Sequence, residues 1–450
     1  MSIKAELKYF NSFSRSMRYL LFANLLYAFV LPVIELFVGS YIVSPPDPTT
    51  VLSAAEKQHN INLYLYYQFA LYLGIPLCFV LNGYLLRKIK VSYLYSIGLL
   101  LSGVSMTFMM SLDELTTIGV VSAGLIMGAS YGFFWANRDF MSLDVTTDET
   151  RNYYFSLDTI FFTITWIIVP AVVGLVIAYG PENQLYTEKT AYIGVTVVVF
   201  LIAILGSIVI NRATFNNPSG EKFLFFTFDK LWNKMILFSI TKGIMQGAIM
   251  IFPILLILSI IGGVSMLGII VSGGQIISAI VLYLIGRYAK PKHRMMIYIT
   301  SIAFFCLAIF IHGALYSVLG VIIYNVLQFM AKPLHDVAYF PTEFKVIDIV
   351  SKKENRSEFA YIVNHEFTLF FGRITSIILV LCLAFFVNAD FALRFGLFFI
   401  AGIMILSIIL GKNIVRDCEE EERAMAKSMR RSPSLKENAN GVQKQAETKS

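Results

Sequence analysis

Charged residues and cysteines are scarce in this sequence of 450 residues. Only 14% of the residues are Asp, Glu, Lys or Arg, whereas about a quarter are charged in an ordinary soluble domain. The four cysteines lie far apart and show no metal-ligand spacing. We therefore predict neither a disulfide nor a metal site, and we exclude a soluble protein of ordinary composition.

Motifs that carry catalysis are also lacking. We find no glycine-rich loop for a phosphate, no His/Cys/Asp cluster with metal spacing and no Ser-His-Asp set in a suitable context. We predict no enzymatic activity and no cofactor. The net charge of +7 suggests a nucleic acid, but the cations flank apolar runs instead of forming a patch, which argues against that partner.

Apolar residues are abundant, at 57% of the chain, and the mean hydropathy is +0.70. A helix that crosses a bilayer needs about 20 mostly apolar residues. The sequence predicts an all-α membrane protein with twelve transmembrane helices, embedded in the lipid bilayer. The predicted spans are 17–43, 62–85, 93–112, 115–138, 153–179, 190–211, 233–260, 265–287, 295–315, 317–338, 358–387 and 389–411.

The cations predict the orientation of these spans. With both termini in the cytoplasm, the outside segments contain only Lys57 and Lys189, and every other loop cation lies inside. Cytoplasmic loops of membrane proteins carry an excess of Lys and Arg. We therefore predict a multi-pass protein of a bacterial-type inner membrane with both termini in the cytoplasm.

An internal repeat divides the chain. Residues 83–90 match residues 286–294 at an offset of 203, and residues 147–151 match residues 352–356 at an offset of 205. A nearly constant offset predicts two similar six-helix bundles in the same orientation. We predict a first bundle, a cytoplasmic linker, a second bundle and a cytoplasmic tail, which is disordered above all beyond about Ser432. Their ranges are 1–211, 212–232, 233–411 and 412–450. We also expect residues 223–228 of the linker to lie on the membrane surface.

This arrangement resembles the major facilitator superfamily, which has a Gly-x-x-x-Asp-(Arg/Lys) motif after helix 2 and an echo of it after helix 8. Here Gly83 and Arg87 match the first copy loosely, with an apolar residue in place of the Asp, and the second copy keeps Gly286, Arg287 and Arg294. The resemblance implies a monomeric transporter of a small-molecule substrate that works by alternating access. It also implies that these five residues belong to a cytoplasmic latch between the halves.

A charge near the bilayer centre is costly and usually faces a cavity or a partner. The resemblance places helices 1, 4, 7 and 10 around a central cavity. We expect its substrate contacts to be Lys242, Gln246, Lys332, Arg373, Trp135 and Asn325. Permanent internal ion pairs are the alternative for the three cations. The resemblance also places Glu35 near this cavity, but we favour snorkelling toward an interface for it. We expect His335 and His365 to be hydrogen-bonded packing residues, and proton-carrying roles are the less favoured alternative.

Three cations in the second half favour an anionic solute, since an unpaired buried cation is costly. Asp336 lies four residues from Lys332, so the two can pair on one helical face, and Glu366 lies two turns from Arg373. Our hypothesis is proton-coupled transport of a small organic anion, with Asp336, Glu366 and Asp158 carrying the proton. A lipid flippase and a non-transporting receptor remain the alternatives.

A second element of the latch follows from the offset of 205, which relates Arg138 to Glu343. Opposite charges at pseudo-equivalent positions predict a pair that joins the halves when the inner side is closed. A solvated loop of unpaired charges is the alternative. Four glycines are expected to allow close helix packing, namely Gly128, Gly132, Gly273 and Gly274.

Overall fold

The computed structural model describes residues 13–44, 52–146, 148–217, 222–288 and 293–431. Twelve of its helices are long and apolar enough to cross a membrane, which confirms the predicted number and order of spans. We label them α1 to α12. Their bounds are Arg15–Val43, Ala54–Leu85, Val91–Met110, Thr117–Val145, Asp148–Glu182, Glu188–Ile210, Lys230–Ile261, Val264–Tyr288, Arg294–Leu315, Val318–Glu354, Glu358–Phe386 and Ala389–Arg431.

Several helices begin at a residue whose side chain caps the first turn. Ser14, Thr116, Thr187 and Ser317 each accept a hydrogen bond from a backbone N–H three residues later. The first N–H groups of a helix have no partner within the helix, so a capping oxygen stabilises its start. Short polar sequences between the apolar runs therefore fix where the spans begin.

Two pseudo-equivalent helices are irregular in their second half. In α1, Pro32 is followed by the π-helical turn Val33–Phe37, and in α7, Pro253 precedes the π-helical turn Ile257–Ile261. Proline removes one backbone donor from a helix, and π-helical turns are frequent at functional sites. Glu35 lies within the first of these turns.

The helices form two halves, α1–α6 and α7–α12, which meet where α5 packs on α8 and α2 packs on α11. The α5–α8 contact is close because small residues face each other. A Cβ on Gly268 would lie 2.1 Å from the Pro170 oxygen, and the backbone N–H of Ala171 donates to Ser272 Oγ at 2.9 Å. The two halves are thus held together beside the space between them.

The linker between the halves packs on the end of the first half. Asn217 accepts a hydrogen bond from the Val91 N–H at 3.0 Å and donates to the Leu86 oxygen at 2.8 Å. Phe223 is buried against Gly83, where a Cβ would lie 2.4 Å from its ring. The linker therefore lies on the face of the bundle that carries Arg15, which we call the terminal face, and Phe223 packs on protein.

The last helix corrects the prediction for the tail. Because α12 continues to Arg431, residues 412–431 are helical and not disordered; residues 432–450 lie outside the described part. Acidic residues of this extension pair with lysines of the second half: Lys345 with Glu422 at 2.9 Å and Lys353 with Glu421 at 2.8 Å. These pairs join the extension to the second half.

Three of the four glycines predicted to allow close packing do so. A Cβ on Gly128 would lie 2.2 Å from the Leu71 oxygen of α2, and one on Gly132 would lie 2.6 Å from Cys78 Cβ. Gly274 packs against the ring of Phe329, whereas a Cβ on Gly273 would meet nothing within 4 Å. The prediction was wrong for Gly273, because helical periodicity does not show which face meets a neighbour.

Candidate functional site

Two adjoining cavities of about 560 and 420 Å³ lie between the halves. The first extends between α5 and α8, and the second extends between α2 and α11. Residues from both halves line each cavity, so a solute held there would contact both. The residues common to the two are Glu35, Trp135, Ile249, Met250, Lys332 and Phe340.

The second half places two lysines around one aspartate at the cavity. Lys242 of α7 forms an ion pair with Asp336 of α10, and Lys332 Nζ lies 3.2 Å from the other carboxylate oxygen of Asp336. The Lys242 side chain is 5% exposed and that of Lys332 is 47% exposed. The predicted pair of Lys332 and Asp336 is present, but Lys242 shares the same carboxylate.

A second charged group joins α7, α11 and α2. Arg373 lies 3.6 Å from the Glu366 carboxylate, and its Nε donates to Gln246 Oε1 at 3.0 Å. The guanidinium also lies 5.4 Å from the ring centroid of Tyr72, which belongs to the first half. Gln246, Glu366 and Arg373 therefore come together at the cavity.

The first half contains a separate network around one arginine. Arg138 of α4 forms an ion pair with Asp158 of α5 and lies 2.7 Å from Asp139. Asn24 of α1 donates to Asp158 at 2.9 Å, and the guanidinium lies 5.0 Å from the Trp135 ring. Asp158 and Trp135 line the cavity, but the Asp158 side chain is only 3% exposed and already paired.

The predicted latch is not formed in this conformation. Arg138 pairs within the first half, and Glu343 lies buried in α10 with its carboxylate 3.0 Å from His365 Nδ1. Since α10 extends to Glu354, Glu343 lies on a helix and not in the predicted loop.

The motif residues are only partly described. Gly83 packs against the linker, Arg87 lies over the Tyr84 ring, and Arg294 borders a small groove on the terminal face. Gly286 and Arg287 lie in α8, but the surroundings of Gly286 and the side chain of Arg287 are outside the described part, as are residues 289–292.

Two further predictions about the cavity need correction. Asn325 is buried, and its amide donates to the Val321 oxygen of its own helix at 2.9 Å; it does not line either cavity. Glu35 lines both cavities, the position that the resemblance implied, and does not snorkel as favoured. It lies within the π-helical turn of α1.

Sequence reasoning missed most of the uncharged polar lining. These side chains come from both halves and include Tyr72, Tyr131, Thr159, Thr163, Gln275 and Gln328. Isolated Gln residues within apolar runs were the available signal, since buried polar groups need partners. Tyr and Thr carry no such signal, because they are common in membrane helices without any function.

The fold and site define a class: a membrane protein of two six-helix halves with a charged cavity between them. The family description that matches residues 19–338 is that of the Major Facilitator Superfamily. The chain belongs to this superfamily and is a membrane transporter of that type.

Similar proteins agree with this fold. The chain is 22% identical over 369 residues to the uncharacterized protein YqgE of Bacillus subtilis (strain 168), covering 77% of this chain and 83% of that protein. The structure of the POT family transporter PepTSo is similar, with a TM-score of 0.68 and 10% identity over 91% of this chain and 99% of that one. A bacterial homologue of ferroportin, in an inward-facing state, matches with a TM-score of 0.64 and 11% identity over 89% of this chain and 98% of that one.

Proposed function

We propose that this transporter carries a small organic anion across an inner membrane by alternating access, and that a proton gradient drives it. The observation that carries the proposal is the sharing of Asp336 by two lysines, which leaves the half-exposed Lys332 with a shared carboxylate and, beyond ion-pair distance, Glu35 as its counter-charges. A mobile anion would supply a further counter-charge. Buried or partly buried cations without an anion are costly.

The walls of the cavity suit a solute with an apolar part. Trp135, Phe162, Trp166 and Phe340 surround the space between Lys332 and the network of the first half. Aromatic faces provide large contact areas for apolar or planar groups. A carboxylate on an aromatic or branched aliphatic body would therefore match both the charge and the lining.

Proton coupling is assigned to Asp336 and Glu366, each of which faces a cation at the cavity. Arrival of an anion competes for Lys332 and Arg373 and so changes the stability of the charged carboxylates. A nearby cation favours the ionised form, and its loss favours protonation. Substrate and proton binding are then linked through the same two pairs.

Flux in sealed proteoliposomes tests the proposal. A thermal-shift screen of organic anions with the purified protein selects the solute, and uptake of that labelled solute is measured with and without an imposed pH gradient. We expect the gradient to drive accumulation. Asp336→Asn or Glu366→Gln should retain solute exchange but lose the effect of the gradient.

The matched variants are Lys332→Gln and Lys352→Gln, which make the same change on the same helix. Lys332 lies in the cavity, whereas Lys352 is an exposed residue in the last turn of α10. We expect Lys332→Gln to reduce anion uptake at least tenfold and Lys352→Gln to leave it unchanged. Uptake of a neutral solute that is insensitive to both the gradient and Lys332→Gln would refute the proposal.

The orientation is proposed on the charge distribution, with both termini and the linker in the cytoplasm. A cysteine-free background with Leu52→Cys or Asn440→Cys tests it with an impermeant thiol reagent. Labelling of intact cells is expected at position 52 alone. Labelling at position 440 from outside would reverse the orientation.

A further inference from the structure

A buried chain of hydrogen bonds lies in the second half, between the cavity and the terminal face. Its hydrogen bonds run from Met235 and Ser239 on α7 through Tyr339 on α10 to His365 on α11. The other ring nitrogen of His365 lies 3.0 Å from a carboxyl oxygen of Glu343 on α10. Ser239, Tyr339, Glu343 and His365 are each at least nine-tenths buried. None of these hydrogen-bonded residues lines either cavity.

The direction of each hydrogen bond is fixed by counting protons, starting from the carbonyl end. Ser239 Oγ lies 2.8 Å from the Met235 oxygen, which only accepts, so Ser239 uses its single proton there. Tyr339 Oη lies 2.8 Å from Ser239 Oγ and must donate to it. Tyr339 then has no proton left for His365 Nε2 at 3.0 Å, so His365 Nε2–H must donate to Tyr339.

This result determines what happens at the other ring nitrogen. His365 Nδ1 lies 3.0 Å from Glu343 Oε1. If His365 is neutral, its proton is on Nε2, so Nδ1 accepts and Glu343 must be the protonated donor. If Glu343 is ionised, Nδ1 must also carry a proton and His365 is an imidazolium. In either case the pair holds one proton more than a carboxylate and a neutral imidazole.

We infer that Glu343 and His365 form a proton-binding site, with the proton on Glu343 in this conformation. The second carboxyl oxygen, Oε2, decides between the two forms. It is buried and has no hydrogen-bond partner among the described residues. A carbonyl oxygen of a neutral acid tolerates this far better than an oxygen of a carboxylate, whose burial without a donor is much more costly.

The same chain provides a way to release the proton. If the hydroxyl of Tyr339 rotates away from Ser239 and donates to His365 Nε2, the remaining imidazole proton moves to Nδ1 and donates to an ionised Glu343. Loss of the proton therefore costs the bond between Tyr339 and Ser239. It leaves a charged Glu343, with one donor, in a buried site.

The charged groups around the site connect it to the cavity. Lys242 Nζ, from α7, lies 5.3 Å from the Tyr339 ring centroid and is within electrostatic reach of both Glu343 and His365. Two charged residues of α11 also act on the site electrostatically, Glu366 on Glu343 and Arg373 on His365. Since Lys242 pairs with Asp336, a change in that pair alters the potential at Glu343. The site itself does not require that the transported solute be an anion.

Nitrogen-15 NMR of the histidine-labelled protein in lipid bilayers tests the inference, because the two neutral tautomers and the imidazolium have distinct ring shifts. Sequential connectivity assigns the signal of His365 without a variant. We expect the neutral form with its proton on Nε2 at neutral pH. His312 is the internal control: its Nε2 faces the Leu393 oxygen at 3.1 Å, so it must keep its proton there.

A neutral His365 protonated on Nδ1 would refute the proposed proton-binding site, since Glu343 would then lack the proton. An imidazolium would overturn the placement of the proton on Glu343. Ser239→Ala provides a second test, because it removes one hydrogen bond from the protonated form only. The tautomer change of His365 should then occur roughly 0.5–1 pH unit lower. Ser301→Ala removes a buried hydroxyl that donates to a backbone oxygen on α9, and it should leave the pH of the tautomer change unaltered. An equal shift in both variants would contradict the inferred hydrogen-bond directions.

Discussion

The fourth and fifth helices of each half are joined by a buried polar pair, and the two pairs differ in kind. In the first half, Arg138 pairs with Asp158. In the second, Glu343 occupies the position 205 residues after Arg138, and His365 lies 207 residues after Asp158. The pseudo-equivalent sites thus exchange a permanent cation for a carboxyl group and a carboxylate for an imidazole.

The two pairs also differ in the polar neighbours that surround them. Arginine stays charged at every accessible pH, and its surroundings supply Asp139 as a second anion and Asn24 as a further donor to Asp158. Glu343 has one partner, and Oε2 has none among the described residues. At these two positions, the first half holds a fixed charge, whereas the site inferred for the second half has two protonation states.

The largest effect that tests this contrast is expected from Arg138→Met. It leaves the Asp158 carboxylate, which is 3% exposed, with Asn24 as its main donor. Breaking one side of a buried ion pair costs about 3–5 kcal/mol, so the thermal unfolding midpoint in detergent should fall markedly. The double variant Arg138→Met/Asp158→Asn should recover much of the loss. A single variant as stable as the wild type would show that Asp158 is not ionised.

A smaller loss is expected from Gly128→Ala, which compares helix packing in the two halves. The added Cβ would lie 2.2 Å from the backbone oxygen of Leu71, which cannot move without shifting α2. Such overpacking costs about 1–3 kcal/mol. Gly273→Ala in α8 is the control, because open space surrounds that position; there alanine should stabilise the helix by up to about 1 kcal/mol. Equal unfolding midpoints for the two variants would contradict the packing.

Glu343→Gln should change the free energy of unfolding by about 1 kcal/mol or less. A glutamine has the shape of the neutral acid, and its amide can donate to His365 Nδ1 as the protonated carboxyl does. Thermal unfolding of this variant beside Arg138→Met measures the contrast between the halves directly. A loss as large as that of Arg138→Met would mean that Glu343 is ionised and that both pairs are fixed charges.

The smallest effect is expected at the exposed charges of the terminal face. Lys353, which is 40% exposed, joins Asp229 at 3.1 Å and Glu421 at 2.8 Å. Because exposed ion pairs are screened by water and salt, Lys353→Gln should cost about 0.5 kcal/mol at low salt. The difference should vanish in high salt, whereas that of Arg138→Met should persist. A large, salt-insensitive loss would show that the extension of α12 depends on this lysine.

The sequence by itself determined the twelve helices, their order and the two similar halves. These features follow from local properties: an apolar run long enough to cross a bilayer must form a helix, because its backbone has no water to bond. Pairs within one helix, such as Lys332 with Asp336, also follow from the helical period.

Only the tertiary structure decided which charges meet between helices. Lys242 pairs with Asp336, which is 94 residues away in sequence, and Arg138 forms its ion pair with Asp158 and not with Glu343. Helical periodicity shows which residues share a face, but the neighbouring helix, its rotation and its depth depend on packing across the whole bundle. His365 shows this limit most clearly: the sequence predicts a packing histidine, whereas its place between Glu343 and Tyr339 is set by two helices brought together in the fold.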